Sequence, residues 1–180
     1  IEFCNLSKRF GKLIVLDGVN AHFKRGQCIA LIGPNGSGKT TLIETMLYEG
    51  GAIKRRGSVE GQNTVSDHTD LEHEKGKTIF SHQMFVTWKN NKINIIDTPG
   101  FDDFVGEVVS SLKVADTAVI VLNAANGVEV GTELVWEYVE KYQTPAIFVI
   151  NQLDHPKADF EKTLEQAKER FGSKLVPIQY

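Results

Sequence analysis

Apolar positions along the chain fall into short blocks separated by polar punctuation. Residues 2–6 and 13–23 predict two strands: Val19, Ala21 and Phe23 alternate with Asn20 and His22, the period of a half-buried strand. Lys24-Arg25-Gly26-Gln27 reads as a turn, which predicts a hairpin between 19–23 and 27–32. Cys28-Ile29-Ala30-Leu31-Ile32 is an unbroken apolar run of strand length, the pattern of a parallel strand covered on both faces. A glycine-rich loop follows it. Thr41 to Tyr48 then reads as a helix closed by Gly50-Gly51. Residues 50–77 are polar and charged without sustained periodicity, and a stretch of that length in a compact domain is usually functional or disordered. Met84–Trp88 and Lys92–Asp97 flank Lys89-Asn90-Asn91 as a hairpin. Beyond them a helix over 104–114, a strand over 117–123, a helix over 129–142, a strand over 145–150, a helix over 157–171 and a short strand over 174–178 alternate. Alternation of this kind predicts an α/β fold: a mainly parallel sheet between helical layers, here with an antiparallel β-hairpin added at the N-terminus.

Composition narrows the class. At 180 residues, 41% apolar and 24% charged, the chain suits one soluble domain, taken as 1–180. A net charge of −3 supplies no basic field for nucleic acid or anionic lipid, so no nucleic-acid binding by the chain alone and no membrane partner are expected. The opening Ile1-Glu2-Phe3-Cys4 lacks the zones of a signal peptide, and Cys4 and Cys28 read as buried free thiols, so a cytoplasmic location is expected. His22, His68, His73, His82 and His155 show no zinc spacing with cysteine and read as incidental.

The chemistry concentrates after the apolar strand. Gly33-Pro34-Asn35-Gly36-Ser37-Gly38-Lys39-Thr40 matches G-x-x-x-x-G-K-[ST] at every fixed position. Glycines let backbone N–H groups turn toward phosphate oxygens, and the helix that opens here adds its positive end. Candidate phosphate-binding residues are Asn35, Gly36, Ser37, Gly38, Lys39, Thr40 and Thr41. Lys39 brings a point charge to the β and γ phosphates, and the Thr40 hydroxyl is a magnesium ligand. The strand before and the helix after are the context this motif requires, so a P-loop NTPase of three α/β/α layers is expected, with Mg2+ as cofactor. Asp97, at the end of strand 92–97, is the candidate second acid for magnesium.

From the phosphate loop onward, over about residues 36–180, the chain resembles the GTPase domain of bacterial elongation factor G. Asp97-Thr98-Pro99-Gly100 is similar to that family's γ-phosphate sensor, which implies that the Gly100 N–H donates to the γ phosphate. Thr78, in Glu74-Lys75-Gly76-Lys77-Thr78-Ile79, falls where the family keeps a threonine that closes over magnesium. The resemblance therefore implies Lys39, Thr78 and Gly100 as catalytic, and Thr40, Thr78 and Asp97 as metal ligands. It makes 50–77 the first switch and 99–107 the second. Asn151-Gln152-Leu153-Asp154 sits where the family has N-K-x-D, so Asn151 and Asp154 would read guanine. Phe104–Val108 and Gly127–Glu133 also read like this family.

The front of the chain resembles a second family. Asn5–Gly11, Leu16–Val19, Gly26-Gln27 and Leu31–Leu42 look like the start of an ABC-transporter ATPase. In that family an aromatic at the position of Phe10 stacks on adenine; ordinary core packing is the other reading of Phe10. No Leu-Ser-Gly-Gly-Gln signature follows, and Asp97 precedes Thr98 rather than a glutamate. The two resemblances overlap at Gly36–Leu42, which suggests an engineered fusion, with 1–42 ABC-like and 43–180 elongation-factor-like.

Three departures from the elongation-factor pattern bear on activity. Phe101 stands where the family places a histidine that orients the attacking water, so hydrolysis should be slow. Gln152 replaces the lysine of N-K-x-D, which should cost affinity. The resemblance also puts the fifth guanine box, with a last strand and helix, beyond Tyr180, and the ribosome would be a partner only with the further domains of that family. The expected function is magnesium-dependent GTP/GDP binding with weak GTP hydrolysis. Two alternatives stay open: a binder that prefers ATP or does not discriminate, through Phe10, and a chimera that folds without turning anything over.

Overall fold

A computed structural model describes residues 2–10, 13–22, 27–59, 61, 63–66, 72, 77–100, 104–172 and 175–178, with the backbone alone over 2–10 and 13–22. Strands β1 (Glu2–Phe10) and β2 (Leu13–His22) pair antiparallel as a two-stranded sheet. A second sheet holds β3 (Cys28–Ile32), β4 (His82–Trp88), β5 (Asn91–Asp97), β6 (Thr117–Asn123) and β7 (Ala146–Asn151), in the order β4-β5-β3-β6-β7. All its neighbours are parallel except β4 and β5. Among the described residues four longer helices lie between or after these strands: α1 (Lys39–Glu49), α2 (Val105–Val114), α3 (Val130–Tyr142) and α4 (Phe160–Phe171).

Strand alternation sorts the core into two layers around the sheet. Ala30 and Ile32 of β3 and Ala118, Ile120 and Leu122 of β6 point to one face, where Val108 and Leu112 of α2, Val135 and Val139 of α3, and Ala167 of α4 cover them. Leu31 and Ile95 point to the other, under Ile43 and Leu47 of α1. These side chains are almost wholly removed from water, and the leucines, isoleucines and valines among them are each worth about 1.5–3 kcal/mol of burial. Trp136 packs on Phe148 and Phe171 at ring-centroid distances of 5.4 and 5.1 Å. The architecture is the expected α/β/α arrangement with a mainly parallel sheet.

Three local expectations need correction. The hairpin between 19–23 and 27–32 does not form, because β3 is central and its two edges are taken by β5 and β6. The antiparallel partner of β2 is β1 instead. Residues 175–178 carry no strand; Val176 and Ile178 are exposed rather than packed on the sheet. Cys28 is a free thiol only half-buried at the start of β3. Burial, with the Asp116 carboxylate adding to it, pushes its thiol above the ordinary cysteine range. Asp116 also accepts the Cys28 N–H at 2.7 Å, closing the β3–β6 ladder at its lower end. Cys4 has its side chain outside the described residues.

Candidate functional site

Parallel strands direct their carboxyl ends to one rim of the sheet, and the loops at that rim carry every candidate residue the structure describes beyond β1. After β3, the chain leaves the core at Ile32 and enters the loop 33–38. Gly36 and Gly38 have φ of 75° and 87°, the left-handed region that L side chains avoid. A Cβ on Gly38 would collide with the Asn151 amide. The loop therefore needs glycine for both shape and clearance. Ser37 is buried, and its hydroxyl donates to the Pro34 carbonyl at 2.9 Å, bracing the turn.

Lys39 opens α1 and is 7% exposed. Its ammonium donates to the carbonyls of Gly33 (2.8 Å) and Pro34 (3.1 Å), which curls the side chain back over its own loop. A buried ammonium held this way is placed to meet an anion entering the loop. Thr40 and Thr41 follow on the first turn of the same helix, where the backbone N–H groups have no intrahelical acceptors of their own.

Asp97 is fully buried at the end of β5, in register with Leu31 of β3. Thr98 then donates its hydroxyl to the Leu31 carbonyl at 2.8 Å, so the Asp97-Thr98-Pro99-Gly100 turn is sewn to the strand that feeds the phosphate loop. The approach is closest at Gly100, where any Cβ would overlap the Asn35 side chain. Asn35 and Gly100 thus face each other across the loop mouth. The Thr40 hydroxyl and the Asp97 carboxylate are hard oxygen donors of the kind Mg2+ takes, with phosphate and water completing its shell. The donor chemistry fits the ion, and these two residues would hold it.

The Asn151-Gln152-Leu153-Asp154 turn lies on the same rim. β7 ends at Asn151, whose amide donates to the Ser37 carbonyl at 2.9 Å. Gln152 donates to the Gly36 carbonyl at 2.8 Å and accepts from Asn123 at 2.6 Å. Gln152 has φ 61°, a backbone cost that persists only where the surroundings hold it. Asp154 is exposed in the turn that follows, its side chain accessible to a ligand.

The polar stretch after α1 is fastened by buried carboxylates that the motif reading missed. Glu44 of α1, 0% exposed, accepts from the N–H groups of Gly57 (2.9 Å) and Val65 (2.5 Å). Glu72 accepts from Ile79 (2.9 Å) and Phe80 (3.3 Å) and pairs with His82 at 2.8 Å. Glu107 of α2, only half-buried, accepts from the Ser81 N–H at 3.1 Å. Thr78, buried, sits beside the Glu72 anchor. Only periodicity pointed at Glu44: it lies one turn beyond Thr40, on the same helix face. The Phe10 side chain, Phe101 and much of 67–76 lie outside the described residues, so neither base stacking by Phe10 nor the water-orienting position has a structural counterpart here.

A glycine loop between a buried parallel strand and a helix, an acid at the next strand end and a third loop closing over the first define a P-loop NTPase fold of the translational GTPase type. The model of the elongation factor Tu GTP binding domain matches residues 24–179, and the chain belongs to that family. Among its relatives, an elongation factor G-like protein of Thermotoga maritima is 40% identical over 83% of this chain and 21% of its own length. Elongation factor G of Mycoplasma pneumoniae is 43% identical over 79% of this chain and 21% of its own. A mitochondrial ribosome-releasing factor 2 of Candida dubliniensis is 40% identical over 87% of this chain and 20% of its own. A crystal structure of a Thermus thermophilus protein superposes with a TM-score of 0.79 at 36% identity, over 82% of this chain and 22% of that one. The chain thus spans about a fifth of the length of these relatives. The family match takes in the phosphate loop and the strand before it, and leaves 1–23 outside. Among the described residues no helix is long and apolar enough to cross a membrane.

Proposed function

We propose that this GTP-binding domain takes GTP and GDP with Mg2+ and hydrolyses GTP slowly. The observation that carries the reading is the joining of the two loops: Asn151 and Gln152 reach the Ser37 and Gly36 carbonyls, which brings the N-K-x-D-like turn against the phosphate-loop motif, as one nucleotide spanning both would require. In this reading Lys39 and the amides of 35–41 hold the phosphates, Thr40 and Asp97 hold the metal, Thr78 and the Gly100 N–H meet the γ phosphate, and Asn151 with Asp154 select guanine. The bound metal would neutralise charge on the leaving phosphates. The chain's own part is to fix the phosphates, keep Lys39 at the bridging oxygens and exclude solvent. Hydrolysis is slow because Phe101 cannot orient the attacking water. Action on the ribosome would belong to a longer protein of this family.

A finer reading concerns the front of the chain. We read 1–42 as ABC-ATPase-like and joined to an elongation-factor body, a reading that rests on the sequence resemblance of the front segment alone; the elongation factor Tu family match begins at residue 24 and takes in 24–42 as well. It leaves room for ATP binding with Phe10 on the base.

The test is a titration of fluorescent GDP with and without Mg2+, followed by GTP turnover. Lys39→Ala should weaken binding at least about thirtyfold, since it strips a charged partner from a desolvated site. Binding unchanged by Lys39→Ala, or no nucleotide binding by the parent chain, would overturn the proposal.

A further inference from the structure

We propose that Asn123 is a positioning residue for nucleotide binding, acting through Gln152: the two amides form a neutral hydrogen-bond relay of fixed polarity that clamps the base-binding loop onto the phosphate loop. The nucleotide part of this inference rests on the function proposed above.

The polarity follows from the two ends of the relay. At one end the Ala125 N–H donates to Asn123 Oδ1 at 2.8 Å. A backbone N–H can only donate, so the oxygen of Asn123 must face it. The NH2 of Asn123 is then turned to Gln152 and donates to Oε1 at 2.6 Å. Gln152 therefore presents its own NH2 to the Gly36 carbonyl, at 2.8 Å. A carbonyl can only accept, so both fixed ends demand the same orientation of both amides. No other arrangement of these two side chains satisfies all three bonds, and none of the three involves a charge.

The relay acts on the phosphate loop through peptide geometry. In a trans peptide the C=O of one residue and the N–H of the next point in opposite directions. Gln152 holds the Gly36 carbonyl and Asn151 holds the Ser37 carbonyl, both toward the base-binding loop. The Gly38 N–H is thereby turned away from that loop, to the side on which the motif would cradle phosphate, while the Ser37 N–H donates to the Pro34 carbonyl at 3.3 Å and closes the turn. Asn123 acts at one remove: through Gln152 it holds the Gly36 peptide, and with it the shape of the loop.

Fixed polarity makes a specific prediction about paired changes. In Asn123→Asp the carboxylate still accepts from Ala125 but has no hydrogen for Gln152. Gln152 must then flip and set its oxygen against the Gly36 carbonyl. In Gln152→Lys the ammonium still reaches Gly36 but meets the NH2 of Asn123, donor against donor. Combined, the two changes match again: the new carboxylate accepts from both Ala125 and the new ammonium, and the ammonium donates to both the carboxylate and Gly36.

The experiment is a four-protein cycle on the full chain, read as the thermal midpoint without nucleotide and as the release rate of fluorescent GDP with Mg2+. Each single change should lower the midpoint by about 2–4 °C and speed release about tenfold. The double variant should recover most of both losses. Losses that simply add would overturn the relay. Gln152→Gly, which suits the positive φ at this position, removes the relay without a mismatch; on that background Asn123→Asp should have little effect. An equal loss there would place the role of Asn123 in its own loop and overturn the proposal. If the parent chain holds no GDP, the proposed function fails, while the cycle in thermal midpoint still reads the relay.

Discussion

At the scale of single residues, the site depends on backbone shapes that few side chains tolerate. Gly38 combines a φ of 87° with contact against Asn151. Gly38→Ala should cost about 1–2 kcal/mol in the left-handed backbone alone, and should push Asn151 off Ser37 as well. A lowered denaturant midpoint together with weaker GDP binding is the expected pair of results; a change in neither would show that the loop relaxes around the new methyl. Phe101→His should raise GTP turnover by about tenfold or more, by restoring a group that can hold water; single-turnover hydrolysis measures it, and an unchanged rate would put the limiting step elsewhere. The phosphate-loop motif and the Asn151–Asp154 motif stand out in the sequence because each is contiguous and its chemistry is local. The relay does not. Its members are separated by 29 positions between Asn123 and Gln152 and by 116 between Gln152 and Gly36, and only the fold brings them together. Reading Gln152 merely as a shortened lysine missed that an amide can donate and accept at once.

At the scale of elements, α1 couples the two halves of the site. Its first turn presents Lys39 and Thr40, and one turn later Glu44 holds Gly57 and Val65. The helix thus links the phosphate loop to the polar stretch that the resemblance marks as a switch. Glu44→Gln keeps the shape but sets an NH2 against one of the two backbone N–H groups. Limited proteolysis within 50–66 should then run about tenfold faster, the equivalent of one lost hydrogen bond to a charged acceptor. Cleavage at the parent rate would show that the stretch is held by other contacts. The helices and the parallel strands were readable because their apolar periods are strong: β6 falls on 117–123 as the pattern indicates. The hairpin over 19–32 misled because local alternation and a turn sequence do not reveal that both edges of β3 are already filled. The apolar residues of 174–178 imitate a strand, but no neighbour pairs with the described part of it.

At the scale of the whole molecule, a parallel sheet gathers its loops on one rim, and there the glycine loop 33–38, the Asp97 turn and the Asn151–Asp154 turn meet. That convergence could be anticipated from the alternation of strands and helices, whereas the hydrogen bonds that lock the rim together could not. The central claim is that this rim still distinguishes guanine from adenine although Gln152 stands in the place of a lysine. The direct measurement is a competition of GTP against ATP for the fluorescent-GDP complex in Mg2+, on the parent chain and on Asp154→Ala. The account predicts that GTP competes at least about tenfold better than ATP and that Asp154→Ala erases most of the difference, because the carboxylate that pairs with guanine is gone. Equal competition by GTP and ATP on the parent chain, or a preference that survives Asp154→Ala, would contradict it.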